Sequence, residues 1–219
     1  MKSERREANA AQALLVTALL SGAVCAQDYP SHPVRLISPN PAGGANDTIA
    51  RIVVNKLTEV LGQQVVIDNR GGAAGTIGSD LAAKASPDGY TLLVGTSSTH
   101  AIAQSLYAKL PYDSVKDFTP VIGFATTTIV LSLHPSVPVK NVKEFIALAK
   151  AQPGKLNFAT GGIGASDHMA TELFMSMTGV KMVHVPYKGG GPAIVDLIAG
   201  NVDLGFSTMA TAKIGRAHV

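Results

Sequence analysis

Apolar positions along this chain follow two rhythms: short continuous runs, and longer stretches in which every third or fourth residue is apolar. Val34 to Ile37 is a run of the first kind and predicts a buried strand. Behind it Ile49, Ile52, Val53, Leu57, Val60 and Leu61 recur at helical spacing, and Gly62 stands where a helix stop is expected. Val65 to Ile67, Tyr90 to Val94, Ile129 to Leu133, Leu156 to Ala159, Met182 to Val185 and Val202 to Phe206 read as further strands, with Val121 to Phe124 an additional apolar extended run. Helices are predicted between them. One of small residues runs through Ala85, one starts at Ala101, and Asn141 with Glu144 three residues on forms a capping box before another. A fourth carries Met169, Ala170, Leu173, Phe174 and Met177 on its inner face, and a fifth, with Pro192 at its first position, ends at Ala199. Strands alternating with helices at this spacing predict an α/β protein with mostly parallel sheets, two of them by the length of the chain.

The connections are as regular as the elements. Pro39 to Arg51 follows a strand, carries Gly43 and Gly44, and runs into a helix; Asn69 to Gly75, Thr160 to His168 and Pro186 to Pro192 repeat the arrangement. Two readings fit such a loop. It is a tight strand-to-helix connection capped by Asn46 or Asp47, or a cradle in which bare backbone and unpaired helix N–H groups hold an anion. Gly95 to His100 sets a run of hydroxyls at a strand's carboxyl end, either a polar turn or the edge at which open parallel sheets bind ligands.

Composition narrows the chemistry. The 219 residues are 46% hydrophobic and 15% charged, with a net charge of +3. The charges are scattered and aromatic residues few, which argues against a nucleic-acid surface. Lys2, Arg5 and Arg6 precede an apolar run that ends in Val24-Cys25-Ala26, so residues 1–26 read as a cleavable secretory signal peptide. Cys25 is the one cysteine, and its context fits a lipobox poorly; a mature chain without it has no disulfide and no thiolate. His32, His100, His134, His168 and His184 show no metal-ligand spacing. Ser166, Asp167 and His168 are consecutive on a helix and point about 100° apart, so they form no triad. Neither a Walker sequence nor a dinucleotide fingerprint is present. Glycine loops without a reactive group point to binding, with no catalytic residue, metal or cofactor expected.

Longer motifs sharpen this. Pro-Ala-Gly-Gly-x-x-Asp47, Pro-Asp-Gly-Tyr-Thr-Leu-Leu93, Tyr-Ala-Lys-Leu-Pro-Tyr-Asp113, Pro-Gly-Lys-Leu-Asn157 and Val-His-Val-Pro-Tyr-Lys-Gly-Gly-Gly-Pro-Ala193 resemble the Bug family, the periplasmic receptors of tripartite tricarboxylate transporters. The resemblance implies a two-lobed type II periplasmic-binding-protein fold, with lobe one over residues 27–125 and lobe two over 126–213. It implies a monomer that captures a small carboxylate solute and delivers it to large and small integral-membrane subunits; a ligand-sensing partner of a membrane kinase is the alternative. Carried over by motif, the ligand-binding residues are Pro41, Gly43, Gly44 and Asp47, then Thr96, Ser97, Ser98 and His100, and in lobe two Gly161, Gly162, Gly164, Ser166, Tyr187 and Gly189. Asp47 is expected to brace its loop and leave binding to the amides. Asn40, Asp167 and Ser207 depart from the family pattern, each at a place that could face the ligand. Members are longer, so the segment returning to lobe one is expected to be missing from this sequence, and residues 214–219 read as a non-native tail.

Overall fold

The computed structural model describes residues 29–209 and 211–212; the signal peptide and tail expected from the sequence lie outside them. Every regular element belongs to the unit that begins at His32. In chain order these are β1 (Val34–Ser38), α1 (Ala45–Leu61), β2 (Val65–Asn69), a short 3-10 turn (Ala73–Gly75), α2 (Thr76–Ala83), β3 (Thr91–Leu93), a single π turn (Ser98–Ile102), α3 (Ala103–Leu106), β4 (Ile129–Leu133), α4 (Val142–Ala151), β5 (Asn157–Thr160), α5 (Ser166–Thr178), β6 (Val183–Pro186), α6 (Gly190–Ala199) and β7 (Leu204–Thr208).

Two sheets result. The first has the order β2-β1-β3 and is wholly parallel, Val34 pairing with Val65 and Arg35 with Thr91. The second has the order β4-β7-β5-β6, parallel except that β4 lies antiparallel to β7. This is the α/β, mostly parallel architecture the sequence predicts. Each sheet has its own core. Val34, Leu36, Ala50, Val54, Val65 and Val94 fill the first, and Phe145, Ala149, Leu156, Phe158, Val180 and Leu204 the second, with Ala193, Ile194 and Leu197 packing α6 on the other side of β5. Burying each of the valine, leucine, isoleucine and phenylalanine side chains among them stabilises by roughly 1.5 to 3 kcal/mol.

The capping box of α4 is present: Asn141 Oδ1 accepts from Glu144 N at 2.9 Å, and Glu144 Oε2 accepts from Lys140 N at 2.7 Å. Three expectations need correction. Val121 to Phe124 joins neither sheet, and Val121 and Ile122 are 80% and 77% exposed; an apolar run predicts a strand only where an edge is there to receive it. On α5 the packed face is Thr171, Phe174 and Met175, while Leu173 and Met177 are exposed. Asp167 reaches back to the loop before the helix, where its Oδ2 accepts from Gly161 N, which ties the first turn to that loop. Likewise Ile52 and Val60 lie on the outer face of α1, and Ala50 and Val54 on the inner one.

Candidate functional site

A cavity of about 470 Å³ is lined by residues from all four glycine loops and from the π turn. The first loop supplies Asn40, Pro41 and Gly44, followed by Ala45 and Asn46 of α1. The N-cap of α1 is Gly44, not Asn46 or Asp47, and no side chain caps it. The first intrahelical bond runs from Thr48 N to Gly44 O. The N–H groups of Ala45 and Asn46 are therefore spare donors at the cavity wall, at the positive end of a 17-residue helix.

Asp47 sits one step further in, 1% exposed and off the wall. Its Oδ2 accepts from Gly43 N and Arg51 Nε, both at 2.9 Å, and its Oδ1 from Asn69 Nδ2 at 2.9 Å. Burial opposes its ionisation, but the bonds from Arg51, Gly43 and Asn69 outweigh that and hold the carboxyl below the ordinary range. This aspartate is a brace. It ties loop, helix and the end of β2 together.

The third loop is built on the same plan with a different outcome. Its amides are already taken by the protein: Gly161 N donates to Asp167 Oδ2 at 2.7 Å, Gly162 N to Thr160 Oγ1 at 3.3 Å and Gly164 N to His168 Nδ1 at 3.3 Å. Ser166 N donates to Ser98 Oγ at 3.1 Å and His168 N to Asp167 Oδ1 at 2.9 Å. Asp167 lies on the cavity wall and pairs with no lysine or arginine among the described residues, and burial pushes its pKa up against the pull of the Gly161, His168 and Asp167 N–H groups and of the His168 ring. The fourth loop is again open. The N-cap of α6 is Gly189 with no side-chain cap, the helix begins at Gly190, and Pro192 is its third residue rather than its first. Gly190 and Gly191 are left as spare donors on the wall beside Lys188.

The rim is a seam between the segments that carry the two sheets. Tyr107 OH donates to Ile163 O at 3.3 Å, Ser98 meets Ser166, and a Cβ on Gly189 would stand 2.9 Å from the Pro41 ring.

Comparison with known proteins places this geometry. The profile described as "Tripartite tricarboxylate transporter family receptor" (TctC) matches residues 49–217. The chain belongs to that receptor family. It is 41% identical over 189 residues to Protein BugT of Bordetella pertussis, covering 86% of this chain and 58% of BugT. Among solved structures it resembles an R. palustris protein with adipate (39% identity, TM-score 0.83, 87% of this chain and 64% of that one). MatC from Rhodopseudomonas palustris with bound malate is similar too (33% identity, TM-score 0.81, 87% and 65%). The chain thus spans less than two thirds of these relatives. The family is one of substrate-binding receptors with the two-lobed periplasmic-binding-protein fold, and the expected Bug-type identity and fold class hold.

Against this family frame, the residues named from sequence divide. Pro41, Gly44, Ser98, Gly161, Gly162, Ser166, Tyr187 and Gly189 come together on the cavity wall. Gly43, Asp47, Thr96, Ser97, His100 and Gly164 lie off it. Thr96 and His100 bond the side chain of Thr99, and the His100 ring packs on Phe118 at 4.8 Å. Gly164 is covered by Leu106, whose Cδ2 lies 2.5 Å from where a Cβ would be. Tyr187 reaches the wall, but its hydroxyl donates to Asp196 Oδ2 at 2.6 Å, a bond that with burial raises its pKa to about 12. All three departures from the family pattern, Asn40, Asp167 and Ser207, line the cavity. Sequence reasoning left out Lys188, Asn46 and the second loop at Gly72 to Gly75. The repeated glycine loop was the available signal for the last of these. Its Ala73 and Ala74 hold φ of 46° and 53°, a conformation uncommon outside glycine.

Proposed function

We propose that this chain carries the ligand-capturing part of an extracytoplasmic solute receptor. A small carboxylated compound is held in the cavity between the two sheet-bearing segments and passed to the large and small membrane subunits of a transporter. The observation that carries the reading is the pairing of two uncapped helix N-termini, those of α1 and α6, on one cavity with Lys188 beside them. The adipate- and malate-bound relatives support a carboxylate as ligand. A volume near 470 Å³ suits a small organic acid.

Magnitudes show how the groups share the task. A helix N-terminus contributes roughly 0.3 to 1 kcal/mol to an exposed anion and up to about 2 when partly buried. Micromolar binding requires about 8 kcal/mol. Two termini fall short, so the Lys188 ammonium, hydroxyl bonds and exclusion of water by the rim supply the remainder. The receptor acts in the periplasm as a monomer, without cofactor, metal or catalysis.

A thermal-shift panel of dicarboxylates, tricarboxylates, aromatic acids and amino acids tests this, because a ligand that binds only the native state raises its stability with concentration. The chain has no tryptophan, so indole quenching cannot serve as the readout. A concentration-dependent rise with at least one carboxylate is expected. A flat response to all of them overturns the reading.

A further inference from the structure

Among the described residues, the charged residues lining the cavity are Asp167 and Lys188. A lysine is what an anion site needs; an aspartate without a cation is not. Asp167 is also close to the α6 amides. Beside Gly161, the point a Cβ would occupy lies 3.4 Å from Asp167 Oδ2 and 3.3 Å from Gly190 N. The carboxylate therefore borders one of the two helix N-termini on which the carboxylate-receptor reading rests. Each of its oxygens accepts one backbone N–H, from Gly161 and from His168, and each retains a second lone pair. The His168 ring nitrogens point to other partners: Nδ1 accepts from Gly164 N, Nε2 lies 3.6 Å from Glu172, and the ring stacks on His184 at 4.3 Å.

A bare carboxylate brought to this wall meets repulsion from Asp167, while a neighbouring hydroxyl or ammonium finds an acceptor. The geometry points to Asp167 as the specificity-determining residue of the cavity, selecting carboxylates that bear a hydrogen-bond donor on the carbon next to the carboxyl over the same acids without one. The carboxylate of such a ligand sits on the amides of Gly190 and Gly191 near Lys188, and its adjacent hydroxyl or ammonium donates to Asp167. Asp47 cannot play this part, because Arg51, Gly43 and Asn69 occupy it and it lies off the wall. The inference rests on the carboxylate-receptor reading and is separable from it.

Malate and aspartate each differ from succinate by one donor group, and isothermal titration with the three acids reads the selection directly. Hydrogen bonds to a charged partner are among the stronger ones, so the chain is expected to bind malate or aspartate at least about tenfold more tightly than succinate. In Asp167→Asn the ratio is expected to fall below about threefold, chiefly because succinate binds better. Asp167→Ser serves as a second variant should the first fold poorly, and the ratio in the unaltered chain needs no variant. Equal binding of the three acids by that chain, or a ratio that survives both substitutions, overturns the inference alone. Binding of other carboxylates but none of these three overturns it as well. Silence toward every carboxylate overturns the receptor reading and this inference together.

Discussion

The first and third glycine loops are built to one plan, strand, glycines, helix, with an aspartate in the helix's first turn, yet they leave opposite resources at the cavity. At the first loop Asp47 is matched by Arg51 and withdrawn from the wall, so the spare amides of α1 face a ligand with no local acid. At the third loop Asp167 pairs with no lysine or arginine among the described residues and stays on the wall, and the side chains of Asp167, Thr160 and His168 have taken the loop's amides. Similar sequence, then, gives one loop that offers donors and one that offers an acceptor. Which it gives depends on where the acid's partners are.

Several perturbations would break or sharpen this contrast. The largest effect is expected at the seam where the first loop meets the fourth. Gly189 has φ of 118°, and a Cβ there would stand 2.9 Å from the stiff ring of Pro41. Backbone strain of this kind costs roughly 1 to 3 kcal/mol, so Gly189→Ala is expected to weaken carboxylate binding by about ten- to hundredfold in calorimetric titration. Unchanged affinity would show that the two loops need not meet for binding.

Next comes the comparison of the aspartates themselves. Asp47→Ala orphans Gly43 N, leaves the Asn69 amide only its bond to Asn40 O, and frees Arg51, which is half exposed and contributes little by itself. A loss of roughly 2 kcal/mol is expected in urea unfolding. Asp167→Asn removes a charge that burial disfavours but leaves one of the N–H groups of Gly161 and His168 without its acceptor, so the two effects offset and stability is expected to change by less than about 1 kcal/mol. Equal losses would erase the distinction between brace and acceptor.

The two carboxyls should also contribute to stability with opposite signs of pH dependence, Asp47 favouring the folded state toward neutral pH and Asp167 toward acid. A carboxyl whose pKa is lowered by folding contributes stability above its unfolded value of 3.8, and that stability is lost as pH falls through the folded value. Asp47 is of this kind. Asp167 has its pKa raised, so the folded state favours its protonated form, and its contribution weakens as pH climbs from 3.8 through the raised value. Unfolding measured from about pH 7 down to about pH 3 should therefore show any advantage of Asp167→Asn shrinking toward acid, while the deficit of Asp47→Ala also shrinks as Asp47 becomes protonated. An Asp167→Asn advantage that grew toward acid would contradict the assignment.

The smallest effect is at Ser98, whose hydroxyl accepts from Ser166 N across the seam. One neutral hydrogen bond is worth about 0.5 to 1.5 kcal/mol, so Ser98→Ala should weaken binding about two- to tenfold, well short of Gly189→Ala.

Much of the fold was legible because it is local. The strand runs, the helix stop at Gly62 and the Asn141–Glu144 box each depend on residues close in sequence. The antiparallel seat of β4 beside β7 and the exposure of Val121 and Ile122 were not, since both depend on partners far along the chain. At the site, the loops announced themselves through their glycines, but glycine shows only that backbone can be approached. Whether an amide is free depends on side chains that reach back to it, as Asp47 does to Gly43 and Asp167 to Gly161. Sequence counted Gly43, Gly161 and Gly162 as donors to a ligand, and their N–H groups face protein acceptors instead.

The most direct measurement is amide chemical-shift mapping on the isotope-labelled chain as malate is added. The account predicts that the amides of Ala45, Asn46, Gly190 and Gly191 move most, and that those of Gly43, Gly161 and Gly162 keep their internal acceptors and move little. The largest shifts falling on Gly161 and Gly162, with the first turns of α1 and α6 unmoved, would contradict it.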